Sequence, residues 1–138
     1  MGGNNWNLLV DKHAEGNSED GFHVLDGAWN TLTSNVSEDN TGHGFHLLDA
    51  SNDAIDDNTA LRNVRGIAVN DSVGNSVVNN LVKHNDYQGI SVVAGSAGNV
   101  IVDNTSRNNG TDLFQDPSSQ AAGNTFTDNS DKTSSGIS

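Results

Sequence analysis

The chain predicts an all-β fold, a parallel solenoid of about 5–6 coils with 22–25 residues each, and three observations carry that reading. One pattern of polar and apolar residues recurs from end to end. Within it, apolar residues alternate with polar ones for only three to five positions, which suits short strands and leaves no room for a helix at 3.6 periodicity. Asn and Gly fall between the runs, where a coiling chain must bend. Each coil then sits about 4.8 Å above the last.

The elements follow in order. A polar column opens each coil, namely Asn7, Asn30, Asp53, Asn75, Asn99 and Asn124, with spacings of 23, 23, 22, 24 and 25 residues. Two residues on, Leu9, Leu32, Ile55, Val77, Ile101 and Phe126 keep that spacing and are expected to stack inside as an apolar ladder. Lys12, Asn35, Asn58, Asn80, Asn104 and Asn129 form a second polar column, and Asn17, Asn40, Asn63, Asn85 and Asn109 a third. Ala14, Ser37, Ala60, Val82 and Ser106 stay small between them. The coil closes with Gly21-Phe22, Gly44-Phe45, Gly66-Ile67 and Gly89-Ile90, followed at the next alternate position by Val24, Leu47, Val69 or Val92. A stacked Asn hydrogen-bonds the backbone and the Asn of the next coil, and it tolerates the left-handed conformation of a bend. That accounts for twenty-one asparagines. The glycine column is expected to supply a positive φ at the third bend.

A chain of 138 residues with one proline and no cysteine fits a single domain over 1–138, its coils starting near 7, 30, 53, 75, 99 and 124, with a polar tail at 130–138. Zinc ribbons and disulfide frames are excluded. A net charge of −12, from six basic and eighteen acidic residues, repels phosphate backbones, so nucleic acid is not expected as a partner. Apolar runs such as Leu8-Leu9-Val10 are too short for a membrane span or a signal peptide. The Asp112-Leu113-Phe114 step replaces the glycine of the third bend, the segment up to Gly123 is expected to be a mobile loop, and Asp131–Gly136 is expected to fray.

Segments such as Asn30-Thr31-Leu32-Thr33-Ser34-Asn35, Asp39-Asn40-Thr41-Gly42-His43-Gly44-Phe45 and Gly123-Asn124-Thr125-Phe126-Thr127-Asp128-Asn129 resemble the right-handed parallel β-helix repeats of bacterial and archaeal extracellular proteins, of the pectate-lyase-like and periplasmic copper-maturation type. The resemblance covers nearly the whole chain and implies the right hand of the coil. It defines fold more than function, because that superfamily holds lyases, epimerases, tailspikes and repeats without known activity.

Four groups of residues are candidates for chemistry. His23 and His46 share an outward column and are expected to stack. Asp26, Asp49 and Asp71 form an acidic column at coil spacing, where carboxylates about 5 Å apart repel unless a cation intervenes, so calcium is the cofactor the residues argue for. Asp is equally a common bend residue whose repulsion solvent screens. The stretch Asn40–Leu48 is similar to a coil of alginate C5-epimerases, and proton abstraction there would take His43 as base and Arg65 on the next coil as cation, with His46 a further candidate in the same stretch; the Asp-Pro-His signature is absent, Gly42 stands where that pattern has an arginine, and the lone Tyr87 is two coils away from His43. Trp6 and Trp29 occupy one column, either as a sugar platform or as a cover for the first coils.

The function expected is a noncatalytic extracellular β-helix module, structural or carbohydrate-contacting and part of a larger protein, with polysaccharide as partner and the cell surface or exterior as its place. The alternative is a calcium-dependent polysaccharide lyase or C5-epimerase acting on uronate polymers. Near-uniform coils leave few loops to build the groove such an enzyme needs. The first Asn column starts by residue 7 without a capping helix, which implies end-to-end self-association or a parent reading frame that continues upstream.

Overall fold

The computed structural model describes Gly3, residues 5–93 and residues 95–137. Met1 and Gly2, on which the uncapped start is read, and Ser138 of the tail lie outside the described residues. Three strands recur per coil: β1 (Leu8–Val10), β2 (His13–Glu15) and β3 (Phe22–Leu25), then β4 (Thr31–Thr33), β5 (Val36–Glu38) and β6 (His43–Leu48). The third coil holds β7 (Ala54–Asp56), β8 (Thr59–Leu61) and β9 (Arg65–Asn70), and the fourth β10 (Ser76–Val78), β11 (Leu81–Lys83) and β12 (Gln88–Val92). β13 (Val100–Val102), β14 (Thr105–Arg107) and β15 (Thr111–Gln115) complete the fifth, and a partial sixth adds β16 (Thr125–Thr127) and β17 (Ser134–Ser135). Strands at equivalent places pair in parallel, giving a first sheet β1-β4-β7-β10-β13-β16, a second β2-β5-β8-β11-β14 and a third β3-β6-β9-β12-β15-β17. The protein is therefore an all-β parallel solenoid of about five turns.

The register stacks like on like. Leu32, Ile55, Val77 and Ile101 align across the first sheet at 0–1% exposure. Val24, Leu47, Val69 and Val92 face them from the third sheet. The second sheet contributes small inward residues because it meets the glycine column closely: a Cβ on Gly21 would fall 2.0 Å from Ser37 Oγ, and one on Gly66 would fall 2.2 Å from Val82 Cγ1. This corrects the expected role of those glycines. Gly21, Gly44, Gly66 and Gly89 are absent from the positive-φ set, so the corner needs their missing side chain and not their conformational freedom.

The left-handed residue is instead the one before each ladder Asn, as at Trp29, Ser34, Asp39, Asp57 and Arg62. The Asn that follows turns inward and is buried. Asn58 shows the pattern: its Oδ1 accepts from Asn35 N (2.9 Å) and Nδ2 (3.0 Å), while its own Nδ2 donates to Leu32 O (2.8 Å) and Asn80 Oδ1 (3.2 Å). An amide both donates and accepts, so it satisfies the bend and its own copy above. Asp112 ends the third column by accepting Asn109 N and Nδ2 at 3.0 Å each, the part a next Asn would play.

Two end segments differ from expectation. Pro117–Ala122 is a short 3-10 helix, capped by the Asp116 carboxylate on Ser118 N at 2.8 Å. The polar tail adds β17 to the third sheet beside β15, because Thr133 supplies Asp112 N with both a hydroxyl (2.9 Å) and a carbonyl (2.9 Å) acceptor. No helix among the described residues is long and apolar enough to cross a membrane.

Candidate ligand and metal site on the third sheet

Alternation on the third sheet sends Phe45, Leu47 and their equivalents inward and leaves outward columns, one residue per coil, of which Leu25, Leu48 and Asn70 form one and two others carry the polar chemistry. The first runs through Asp20, His43, Arg65, Gln88 and Thr111, each immediately before the inward corner residue. The second runs through His23, His46, Ala68, Ser91 and Phe114.

At the first two coils these columns converge on Asp20. Its Oδ1 accepts from His43 N (2.7 Å) and His43 Nδ1 (2.8 Å), and its Oδ2 accepts from His46 Nδ1 at 2.9 Å. His23 Nδ1 stands 3.6 Å from the same Oδ2. The His23 and His46 rings stack with centroids 4.6 Å apart, and His43 lies against His46 at 4.2 Å. Gly42 makes room, since a Cβ there would come within 2.5 Å of Asp20 Oδ1. The departure from the epimerase pattern at Gly42 is thus the space that Asp20 occupies.

Burial alone would raise the Asp20 pKa, but the His43 N–H and the His46 and His43 imidazoles outweigh it and hold the carboxyl below its usual range. Burial pushes His46 below the ordinary imidazole range, as it does His23, where His46 adds to the effect. Both rings are neutral at pH 7. With Nδ1–H directed at the carboxylate, His46 Nε2 accepts from Asn70 Nδ2 (3.1 Å) and His43 Nε2 accepts from Arg65 NH1 (3.3 Å). Arg65 Nε in turn donates to Gln88 Oε1 at 2.6 Å, and its guanidinium carbon lies 5.9 Å from the Tyr87 ring centroid.

Beyond the histidines the second column drops to Ala68 and Ser91, and a cleft of about 190 Å³ opens there. Arg65 and Gln88 wall one side, Asn70 the other, and Phe114 closes one end.

The structure therefore brings together His23, His43, His46 and Arg65 and separates them from the remaining candidates. Asp26, Asp49 and Asp71 are left-handed bend residues just past the third sheet, exposed to solvent. They are not one of the described groups of three whose ligand atoms lie within 4.8 Å of one another. Those groups are Asp20, His23 and His46, and the more exposed His13, Glu15 and Glu38. Arg62 already neutralises Glu38 at 2.6 Å and Asp39 at 2.8 Å, which makes the latter group part of a surface ion network. Trp6 and Trp29 stack at 5.3 Å on another corner, 74% and 49% exposed, standing outside the coil and not over its core. Asp20 is the residue that sequence reasoning missed. Its signal was there, since it stands 23 residues before His43 in the column ahead of the glycines.

These features define a class: a parallel β-solenoid whose outward third sheet carries a carboxylate among imidazoles. The chain belongs to the family described as periplasmic copper-binding protein (NosD), whose model matches residues 1–137. Among solved structures it is similar to the A-module of mannuronan C-5 epimerase AlgE4 from Azotobacter vinelandii, with TM-score 0.55 and 16% identity. That likeness covers 78% of this chain and 38% of the module, and at such identity it shows the shared β-helix fold alone. A search of curated proteins finds no match.

Proposed function

We propose that this chain is a noncatalytic β-helix module of a periplasmic or cell-surface protein, and that it holds a copper-class ion on Asp20, His23 and His46. The observation that carries the reading is the convergence of these ligand atoms, from two coils, within 4.8 Å of one another. The donor set fits, because imidazole and carboxylate suit Cu²⁺, which heads the affinity order of the divalent first-row metals. A neutral imidazole ligates through its unprotonated nitrogen, so with the ion bound His46 would carry its proton on Nε2, beside Asn70, and not on the Nδ1 that meets Asp20 in the metal-free protein. Held there, the ion would bridge the first and second coils. The family description, copper-binding, points the same way.

The noncatalytic reading is supported by the occupied nitrogens. A general base needs a free lone pair toward substrate, whereas His43 and His46 each spend one ring nitrogen on Asp20 and receive a donor at the other. Calorimetric titration of metal-free protein tests the assignment. One Cu²⁺ per chain should bind and raise Tm by mass action, with a weaker response to Zn²⁺ and none specific to Ca²⁺. Asp20→Asn and His46→Gln should each abolish the copper response. Copper binding that survives both but is lost on Asp26→Asn, Asp49→Asn and Asp71→Asn would overturn it, and unsaturated product from polygalacturonate or alginate would overturn the noncatalytic part.

A further inference from the structure

We propose that the cleft beside the histidines is a second binding site, for a small monocarboxylate that carries hydroxyl groups. It lies two coils further along the third sheet than Asp20 and does not depend on the metal reading. Three observations place a ligand in it. Ser91 is 2% exposed, lines the cleft, and its Oγ has no hydrogen-bond partner among the described residues. Asn70 commits its amide nitrogen to His46, while its Oδ1, buried in the same wall, has no donor among the described residues. Leaving buried polar atoms unmade is unfavourable, and two of them facing one cavity indicate groups that complete them.

The third observation is charge. Arg65 has Gln88, His43 and Tyr87 as neighbours, and no carboxylate lies within ion-pair distance of it among the described residues of a chain at −12. Its Nε and NH1 are already directed, which fixes the guanidinium plane and leaves the remaining N–H groups for an anion. Gln88 accepts from Arg65 through Oε1, so its amide N–H groups remain as donors beside the guanidinium.

The chemistry of the ligand follows from this wall. A carboxylate matches the Arg65 and Gln88 donors. Hydroxyl groups match Asn70 Oδ1, which needs a donor, and Ser91, which does either. Ala68 and Phe114 offer apolar surface for the C–H faces between them. A single cation in a strongly acidic molecule favours one negative charge over two or three. A volume of about 190 Å³ suits one sugar-sized acid.

The test uses the whole chain stripped of metal on a chelating resin, so that its failure and that of the copper site are read separately. Gluconate is titrated while the amide resonances of β9 and β12 are followed by NMR, beside sorbitol, which lacks the charge, and hexanoate, which lacks the hydroxyls. Gluconate should bind with Kd on the order of 1 mM, a value typical of a ligand of that size, and each control at least tenfold more weakly. Arg65→Gln should weaken gluconate tenfold or more. Ser91→Ala should weaken it several-fold without lowering Tm, since the free protein loses no hydrogen bond there, which separates a binding role from a structural one. The proposal is overturned if sorbitol or hexanoate equals gluconate, if Arg65→Gln leaves binding unchanged, or if no β9 or β12 resonance moves by 50-fold above the expected Kd.

Discussion

Two columns of polar side chains run the length of this molecule, and they are built on opposite rules. At the inner bends the same residue repeats: Asn35, Asn58, Asn80 and Asn104 hand hydrogen bonds from coil to coil, all at 1% exposure. On the outside of the third sheet the residue changes at every coil, from Asp20 to His43, Arg65 and Gln88, yet the column is just as continuously hydrogen-bonded. A carboxamide is its own complement and stacks on copies of itself. A carboxylate or a guanidinium is not, so a column containing them must alternate acceptor with donor, and the imidazole of His43 serves as the link, with Asp20 at one ring nitrogen and Arg65 at the other. Repetition thus makes the fold, and broken repetition makes the site.

Asp53 is where the inner rule fails. It occupies an Asn position, accepts Asn30 N (2.6 Å) and Nδ2 (2.9 Å) on Oδ1, and buries Oδ2 without a partner among the described residues. Burial raises its pKa.

The largest way to break the comparison is to charge the apolar ladder between the columns. Val77→Asp or Ile55→Asp buries an isolated carboxylate at a position of 0% exposure and should cost several kcal/mol, enough to unfold the chain, seen as loss of the β-type circular dichroism at 25 °C. Next, Asn58→Ala strips the inner column of a donor and an acceptor and should cost about 1–3 kcal/mol in urea unfolding. Gln88→Ala in the outer column, where water replaces the lost partner, should cost under about 1 kcal/mol. Equal costs would dissolve the distinction.

Asp53→Asn restores the inner rule and should stabilise the protein at pH 7 by on the order of 1 kcal/mol. The sign follows from the raised pKa: the folded state holds the Asp53 proton more tightly than the unfolded chain, so stability is fullest below the ordinary carboxylate range and is lost as pH climbs through the raised value. Asp20 works the other way. Its lowered pKa gives stability that is present above the ordinary range and lost as pH falls through the lowered value. Thermal melts across pH should therefore flatten on their neutral side for Asp53→Asn and on their acid side for Asp20→Asn. The smallest effect belongs to Thr33→Ala on the outer face of the first sheet, under about 0.5 kcal/mol, and a larger loss would show that outward residues there also hold the coil.

The fold was readable because a solenoid writes its contacts into one period: residues 22–25 apart are neighbours, so Leu32, Ile55 and Val77 declare themselves a ladder without any knowledge of tertiary structure. The stacking of His23 on His46 was legible for the same reason. The meaning of the glycine column was not, since whether Gly44 serves for φ or for space depends on the approach of Ala60 from another strand, 3.1 Å from where its Cβ would be. The neighbourhood of Asp20 and His43 was legible at 23 residues, but the reach of the same carboxylate to His46, 26 residues away in another outward column, was not, and only the turn of the coil brings both imidazoles to it. The sequence by itself determined the period, the core and the bends, all of which follow from local pattern and self-complementarity. The tertiary structure decided which unlike side chains meet, because donor and acceptor geometry between columns depends on how far each coil rotates past the last.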